Sequence, residues 1–125
     1  MILDTNGLSA LADGDDLLKP ILERVDEIWL PVIVLGEFMF GIRQSRDRLR
    51  YEGWLAKRML VYRILRIDES TAEHYADIRL ELKNSGLPIP VNDLWIAALT
   101  RQHGSTILSR DTHFDHVPGL KHVTW

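Results

Sequence analysis

Apolar and polar positions follow two rhythms along this chain. Short apolar runs that break into polar residues read as buried strands: Ile2-Leu3, Glu27 to Leu30, Ile64 to Ile67, Thr106 to Leu108 and His122 to Trp125. Longer stretches at helical spacing lie between them. Thr5 or Asn6 can cap a helix through Leu11 that Asp13-Gly14 ends. Asp15-Asp16 opens a second helix, Leu17 to Val25, which tolerates Pro20 only in its first turn. Pro31 stops the strand before it, and Val32 to Gln44 is apolar on nearly every side, the pattern of a buried helix.

Arg46 to Leu60 predicts an amphipathic helix with Leu49, Trp54, Leu55 and Met59 on its apolar side; core packing outweighs a partner groove for Trp54 and Met59. Ser70-Thr71-Ala72-Glu73 reads as a capping box for a helix to Asn84, with Tyr75, Ile78 and Leu82 inward and Gly86 beyond its end. Leu87-Pro88-Ile89-Pro90 cannot be helical. Asn92 then caps a helix from Asp93 to Gln102 that Gly104 closes. Strands alternating with helices predict an α/β fold, a three-layer α/β/α sandwich around a mainly parallel sheet. No internal repeat interrupts it, and 125 residues suit one domain, 1–125, with a real core.

Composition narrows the chemistry. The absence of cysteine excludes disulfides, thiolate metal sites and a cysteine nucleophile. No basic segment followed by a long apolar stretch stands at the N-terminus, and the most apolar region, Ile28 to Ile42, is too short to span a membrane; a cytoplasmic protein is expected. The net charge of −3 is unevenly spread. From Arg43 to Arg66, eight basic residues face only Asp47 and Glu52. Such a face can engage phosphates, with Arg43, Arg46 and Arg50 as candidates, or it can be an ordinary solvated helix surface.

Four acids stand apart from the rest. Asp4 ends the first strand, Glu37 lies within the apolar helix, Asp93 opens a late helix and Asp111 follows the fourth strand. Each has a plain alternative as a cap, dipole partner or turn residue. Glu37 is the hardest to explain that way. A carboxylate among Leu35, Phe38 and Met39 is costly unless paired or bound to a cation, and Arg43 lies off its helical face. Gly36 and Gly41 beside it suggest close approach of a backbone or ligand. Carboxylates meeting at one sheet rim need a cation, and hard oxygen donors without thiolates favour Mg²⁺ or Mn²⁺. His113 and His116 are three apart, as some metal pairs are. With no third nitrogen ligand in a recognisable motif, substrate contact or solvent exposure is the preferred reading for them.

Asp4-Thr5-Asn6, Gly36-Glu37-Phe38 with Gly41, Asn92 to Ala98, and Ser109-Arg110-Asp111-Thr112-His113-Phe114 together resemble the four signatures of PIN-domain ribonucleases, in particular the VapC-type toxins of bacterial toxin–antitoxin pairs. The resemblance spans the chain in order. It implies Mg²⁺- or Mn²⁺-dependent cleavage of RNA by activated water, with Asp4, Glu37, Asp93 and Asp111 as catalytic metal ligands. Asn6 and Ser109 would support them, and Asp115 adds an acid that is either a second-metal contributor or a surface turn. It further implies a homodimer and a VapB-type antitoxin as partner. Two other functions compete. Asp4 with Asp111-x-x-x-Asp115 resembles a haloacid-dehalogenase phosphatase, although Asn6 stands where a second Asp is expected. A non-catalytic PIN-like binding module is the other.

Overall fold

The computed structural model describes all residues, 1–125. Five strands form one sheet: β1 (Ile2–Leu3), β2 (Trp29–Pro31), β3 (Arg63–Leu65), β4 (Thr106–Leu108) and β5 (Lys121–Val123). Their order is β3-β2-β1-β4-β5 and every pairing is parallel. Helices carry the crossovers that parallel pairing requires: α1 (Thr5–Ala12), α2 (Lys19–Leu22), α3 (Val32–Arg43), α4 (Arg48–Met59), α5 (Glu69–Ser85) and α6 (Val91–Gln102). No helix is long and apolar enough to cross a membrane.

The central strands are apolar without alternation because both faces of a helix-covered sheet are buried. Ile2, Leu3, Leu30, Ile107 and Leu108 are fully buried, and Leu8, Val34, Ile78, Leu99 and Phe114 pack around them. The chain builds the sheet outward from β1 on one side, through β2 and β3, and then crosses to β4 on the other. That reversal makes β1 and β4 the topological switch point, where a crevice opens beyond the carboxyl ends of the strands. Asp4 follows β1 there, and Ser109 follows β4.

Several expected elements differ. The helix expected over Leu17 to Val25 is a 3₁₀ turn, Asp16–Leu18, followed by the single turn of α2, with Pro20 inside its first turn. Pro31 closes β2 rather than merely stopping it, and its fixed φ of −59° launches α3. Pro90 launches α6 in the same way, so Asn92 lies inside the helix and caps nothing. The capping box of α5 is Asp68 with Thr71, not Ser70 with Glu73. On α4 only Leu55 is deeply buried; Leu49 stands 85% exposed, against expectation, and Met59 is exposed as well. Trp54 packs against Phe38 of α3.

Candidate active site

Asp4 does two jobs at once. It caps α1, in place of Thr5 or Asn6: its Oδ1 accepts from the Gly7 amide at 3.0 Å. Its Oδ2 accepts from Ser109 Oγ at 2.6 Å and from Asn6 Nδ2 at 2.9 Å. Ser109 Oγ in turn accepts from the Asp111 amide at 2.8 Å, and Asn6 Oδ1 accepts from the Arg110 amide at 3.0 Å. The polar residues after β1 and β4 thus form one hydrogen-bonded lattice across the switch point. Gly7 makes that lattice possible, because a Cβ there would lie 3.1 Å from the Leu108 carbonyl oxygen.

A cleft of about 590 Å³ opens above this lattice, and Asp4, Glu37, Asp93 and Asp111 all line it, with Asn6 and Arg110. Glu37 comes from the middle of α3, where it is half-buried, faces the cleft rather than the surrounding apolar side chains, and accepts from Thr5 Oγ1 at 3.1 Å. Asp93 comes from the first turn of α6. Asp111 caps a 3₁₀ turn, Thr112–His116, through the His113 amide.

Burial pushes the Asp4 carboxyl up to about 6, against the bonds from Ser109 and Gly7, with the charges of Asp111 and Asp93 adding to the rise. Asp93 is raised as well, first by burial and then by the charge of Asp111; His113 opposes the shift and Glu37 adds to it. The cleft therefore concentrates negative charge that it does not balance. Arg110 is the one Lys or Arg side chain lining it, and its guanidinium pairs with Asp15 at 3.1 Å and lies over the Trp125 ring. Oxygen donors that lack a countercharge fit a divalent cation.

Within the cleft the spacing is uneven. Oxygens of Asp93 and Asp111 and a ring nitrogen of His113 lie within 4.8 Å of one another, close enough to share one ion. Asp4 and Glu37 line the same space but fall outside that tight group. Asp115 is 60% exposed on the 3₁₀ turn, does not line the cleft, and lies 2.7 Å from His122 Nδ1. His122 Nε2 in turn donates to the Ser109 carbonyl at 2.9 Å, so this pair braces the β4 side of the lattice. Arg43, Arg46 and Arg50 are exposed and stand outside the cleft. Arg50 lies over Tyr51, which lines an adjoining cavity of about 290 Å³ that shares Thr5, Ser9, Asp13 and Glu37 with the cleft. Gly36 and Gly41 have open space where a Cβ would go, so no backbone approaches either.

The sequence does not single out Thr5, Arg110 or His122 at the site, and it offers His113 as a substrate contact or an exposed side chain. The spacing Asp111-x-His113 was the available signal for the last; the others meet their partners only through the sheet.

Residues 1–120 match the PIN domain family. The chain belongs to that family. This PIN-domain protein is 33% identical over 95 residues to Ribonuclease VapC4 of Mycobacterium tuberculosis, spanning 74% of this chain and 73% of that protein. It is 30% identical over 131 residues to VapC ribonuclease Y4jK of Sinorhizobium fredii, spanning 96% and 93% respectively. Among solved structures, a toxin–antitoxin complex from Klebsiella pneumoniae contains a chain with the same fold, at a TM-score of 0.75 and 26% identity over 98% of this chain and 95% of that one. Membership of the PIN-domain family sets the phosphatase alternative aside.

Proposed function

We propose that this PIN-domain protein is the ribonuclease toxin of a toxin–antitoxin pair and that it hydrolyses RNA phosphodiesters with Mg²⁺ or Mn²⁺. The observation that carries the reading is the convergence of Asp4, Glu37, Asp93 and Asp111 on one cleft at the switch point of the sheet. Identity to VapC ribonucleases points the same way.

Asp93 and Asp111 would hold the ion, with Asp4 and Glu37 lining the same cleft beside it. A bound divalent ion lowers the pKa of a coordinated water and offsets charge on the phosphate under attack. The protein's own contribution is preorganisation. Ser109, Asn6 and the Gly7 amide occupy three acceptor positions of Asp4 and fix its plane. Thr5 orients Glu37. Arg110 at the cleft wall offers a positive group to a phosphate that the carboxylates otherwise repel. Arg43, Arg46 and Arg50, all exposed, steer the RNA backbone toward the cleft.

Phe40, Leu49, Leu60 and Val61 are each more than 60% exposed, more large apolar surface than α3, α4 and the turn beyond need if they face only water. We assign such surface to a VapB-type antitoxin and to a second copy in a homodimer.

The test is cleavage of RNA by the purified chain. Activity with Mn²⁺ or Mg²⁺ is expected to stop with EDTA and to return on adding the ion back. Asp4→Asn is expected to lower the rate roughly 10²-fold or more, the scale of losing one electrostatic group from an active site, with circular dichroism unchanged. A folded wild-type chain that binds the ion and cleaves no RNA would favour the non-catalytic module.

A further inference from the structure

His113 stands beside two of the cleft's acids, Asp93 and Asp111. Its Nδ1 is fully shielded from solvent although the ring as a whole is 42% exposed. That nitrogen lies between the two acids, 2.9 Å from Asp111 Oδ1 and 3.3 Å from Asp93 Oδ2. A shielded ring nitrogen set between two carboxylates can pair with them when it carries a proton and can join them as a donor to one ion when it does not. Its position within 4.8 Å of one oxygen from each acid is the spacing at which three donors share a cation.

The elements hold this arrangement. Asp111 accepts from the His113 amide at 2.9 Å, which fixes the start of the 3₁₀ turn and turns His113 back toward α6. Phe114, the next residue, is fully buried and anchors the turn to the core. The ring is therefore carried by a supported segment and not by a loose loop.

We propose that His113 is a nitrogen ligand of the metal through Nδ1, joining Asp93 and Asp111, and that it tilts the site toward Mn²⁺ over Mg²⁺. The inference rests on the metal-dependent reading of the cleft and adds a ligand outside the four acids. The chemistry of selection is simple. Mg²⁺ demands hard oxygen donors and holds its waters tightly, whereas Mn²⁺ accepts an imidazole nitrogen more readily. A neutral imidazole also adds a donor without adding to the negative charge already gathered by Asp93 and Asp111.

Pulsed electron paramagnetic resonance on the Mn²⁺-loaded protein tests this directly, with calorimetric titration of Mn²⁺ and Mg²⁺ alongside. The wild-type chain is expected to show ¹⁴N coupling from a directly bound imidazole. His113→Ala is expected to lose that coupling and to weaken Mn²⁺ binding at least about tenfold, with a smaller loss for Mg²⁺. His116→Ala serves as the control, because His116 Nδ1 is also shielded, in a ring 6.2 Å away. That variant is expected to keep the coupling. Mn²⁺ bound without nitrogen coupling, or coupling that survives in His113→Ala, overturns the role of His113 and leaves the metal-dependent reading standing. No Mn²⁺ binding at all in the folded wild-type chain overturns both.

Discussion

Asp4 illustrates how one side chain is asked to serve folding and chemistry together. It is 5% exposed, caps a helix and receives three hydrogen bonds, yet burial and its acidic neighbours still hold its carboxyl at about 6 instead of 3.8. The native ion-free protein therefore binds that proton more tightly than the unfolded chain does. The stabilisation it provides is full below about pH 4 and is lost as pH rises through about 6, amounting to on the order of 3 kcal/mol. Asp93 is raised too and pushes in the same direction. Urea unfolding in EDTA should accordingly give a lower midpoint at pH 7.5 than at pH 4.5, with a shallower decline in Asp4→Asn. Saturating Mn²⁺ should restore stability at the higher pH, because it neutralises the same charges. Asp4 and Asp111 were legible in the sequence because an apolar run breaking into an acid marks the rim of a parallel sheet. Thr5, Arg110 and His113 were not, since the significance of each depends on a partner brought to it by the fold. Glu37 was legible for an incomplete reason: its neighbours in sequence are apolar, but its carboxylate faces the cleft and not the core.

Among the elements, the β1–α1 joint is the one whose glycine has no free room for a side chain. Gly7 is the third residue of α1, and it passes directly under the end of β4. A methyl group at 3.1 Å from the Leu108 carbonyl oxygen cannot be absorbed by a flexible side chain, because its neighbour is the backbone of a fully buried strand. Gly7→Ala is expected to destabilise the protein by about 1–3 kcal/mol, measured by chemical denaturation, despite the better helix propensity of Ala. An unchanged or raised stability would show that the joint has slack. Helix positions followed from periodicity, while helix starts did not. Asp68 and Pro90 precede α5 and α6 where Ser70 and Asn92 are equally plausible on residue type, whereas α3 starts at Val32 as its apolar run predicts. Which oxygen reaches a free amide depends on backbone angles that sequence does not display. The short region of α2 failed for a related reason, since Pro20 permits a first turn but the chain makes only one.

For the whole molecule, parallel strands alternating with helices were evident from the sequence, but the order β3-β2-β1-β4-β5 was not. Nothing local tells a chain that its fourth strand returns to the far side of its first. That placement converts four acids separated by more than a hundred residues into one cleft, and it leaves the basic stretch from Arg43 to Arg66 elsewhere on the surface. On the proposed function, the two regions would divide the work of binding a polyanion at an anionic site. Replacing Arg43, Arg46 and Arg50 by Ala should weaken RNA binding evenly across sequences. The slope of log affinity against log salt should fall by about 2, as expected for three phosphate contacts on a single strand. An unaltered slope would place the RNA path on another face. The proposed chemistry turns on whether a metal ion occupies the cleft. Anomalous diffraction from a crystal soaked in Mn²⁺ measures this most directly. The predicted result is a manganese peak between Asp93 and Asp111, on the side facing Asp4 and Glu37; a fully soaked crystal with no peak there, or with its only peak elsewhere, would contradict it.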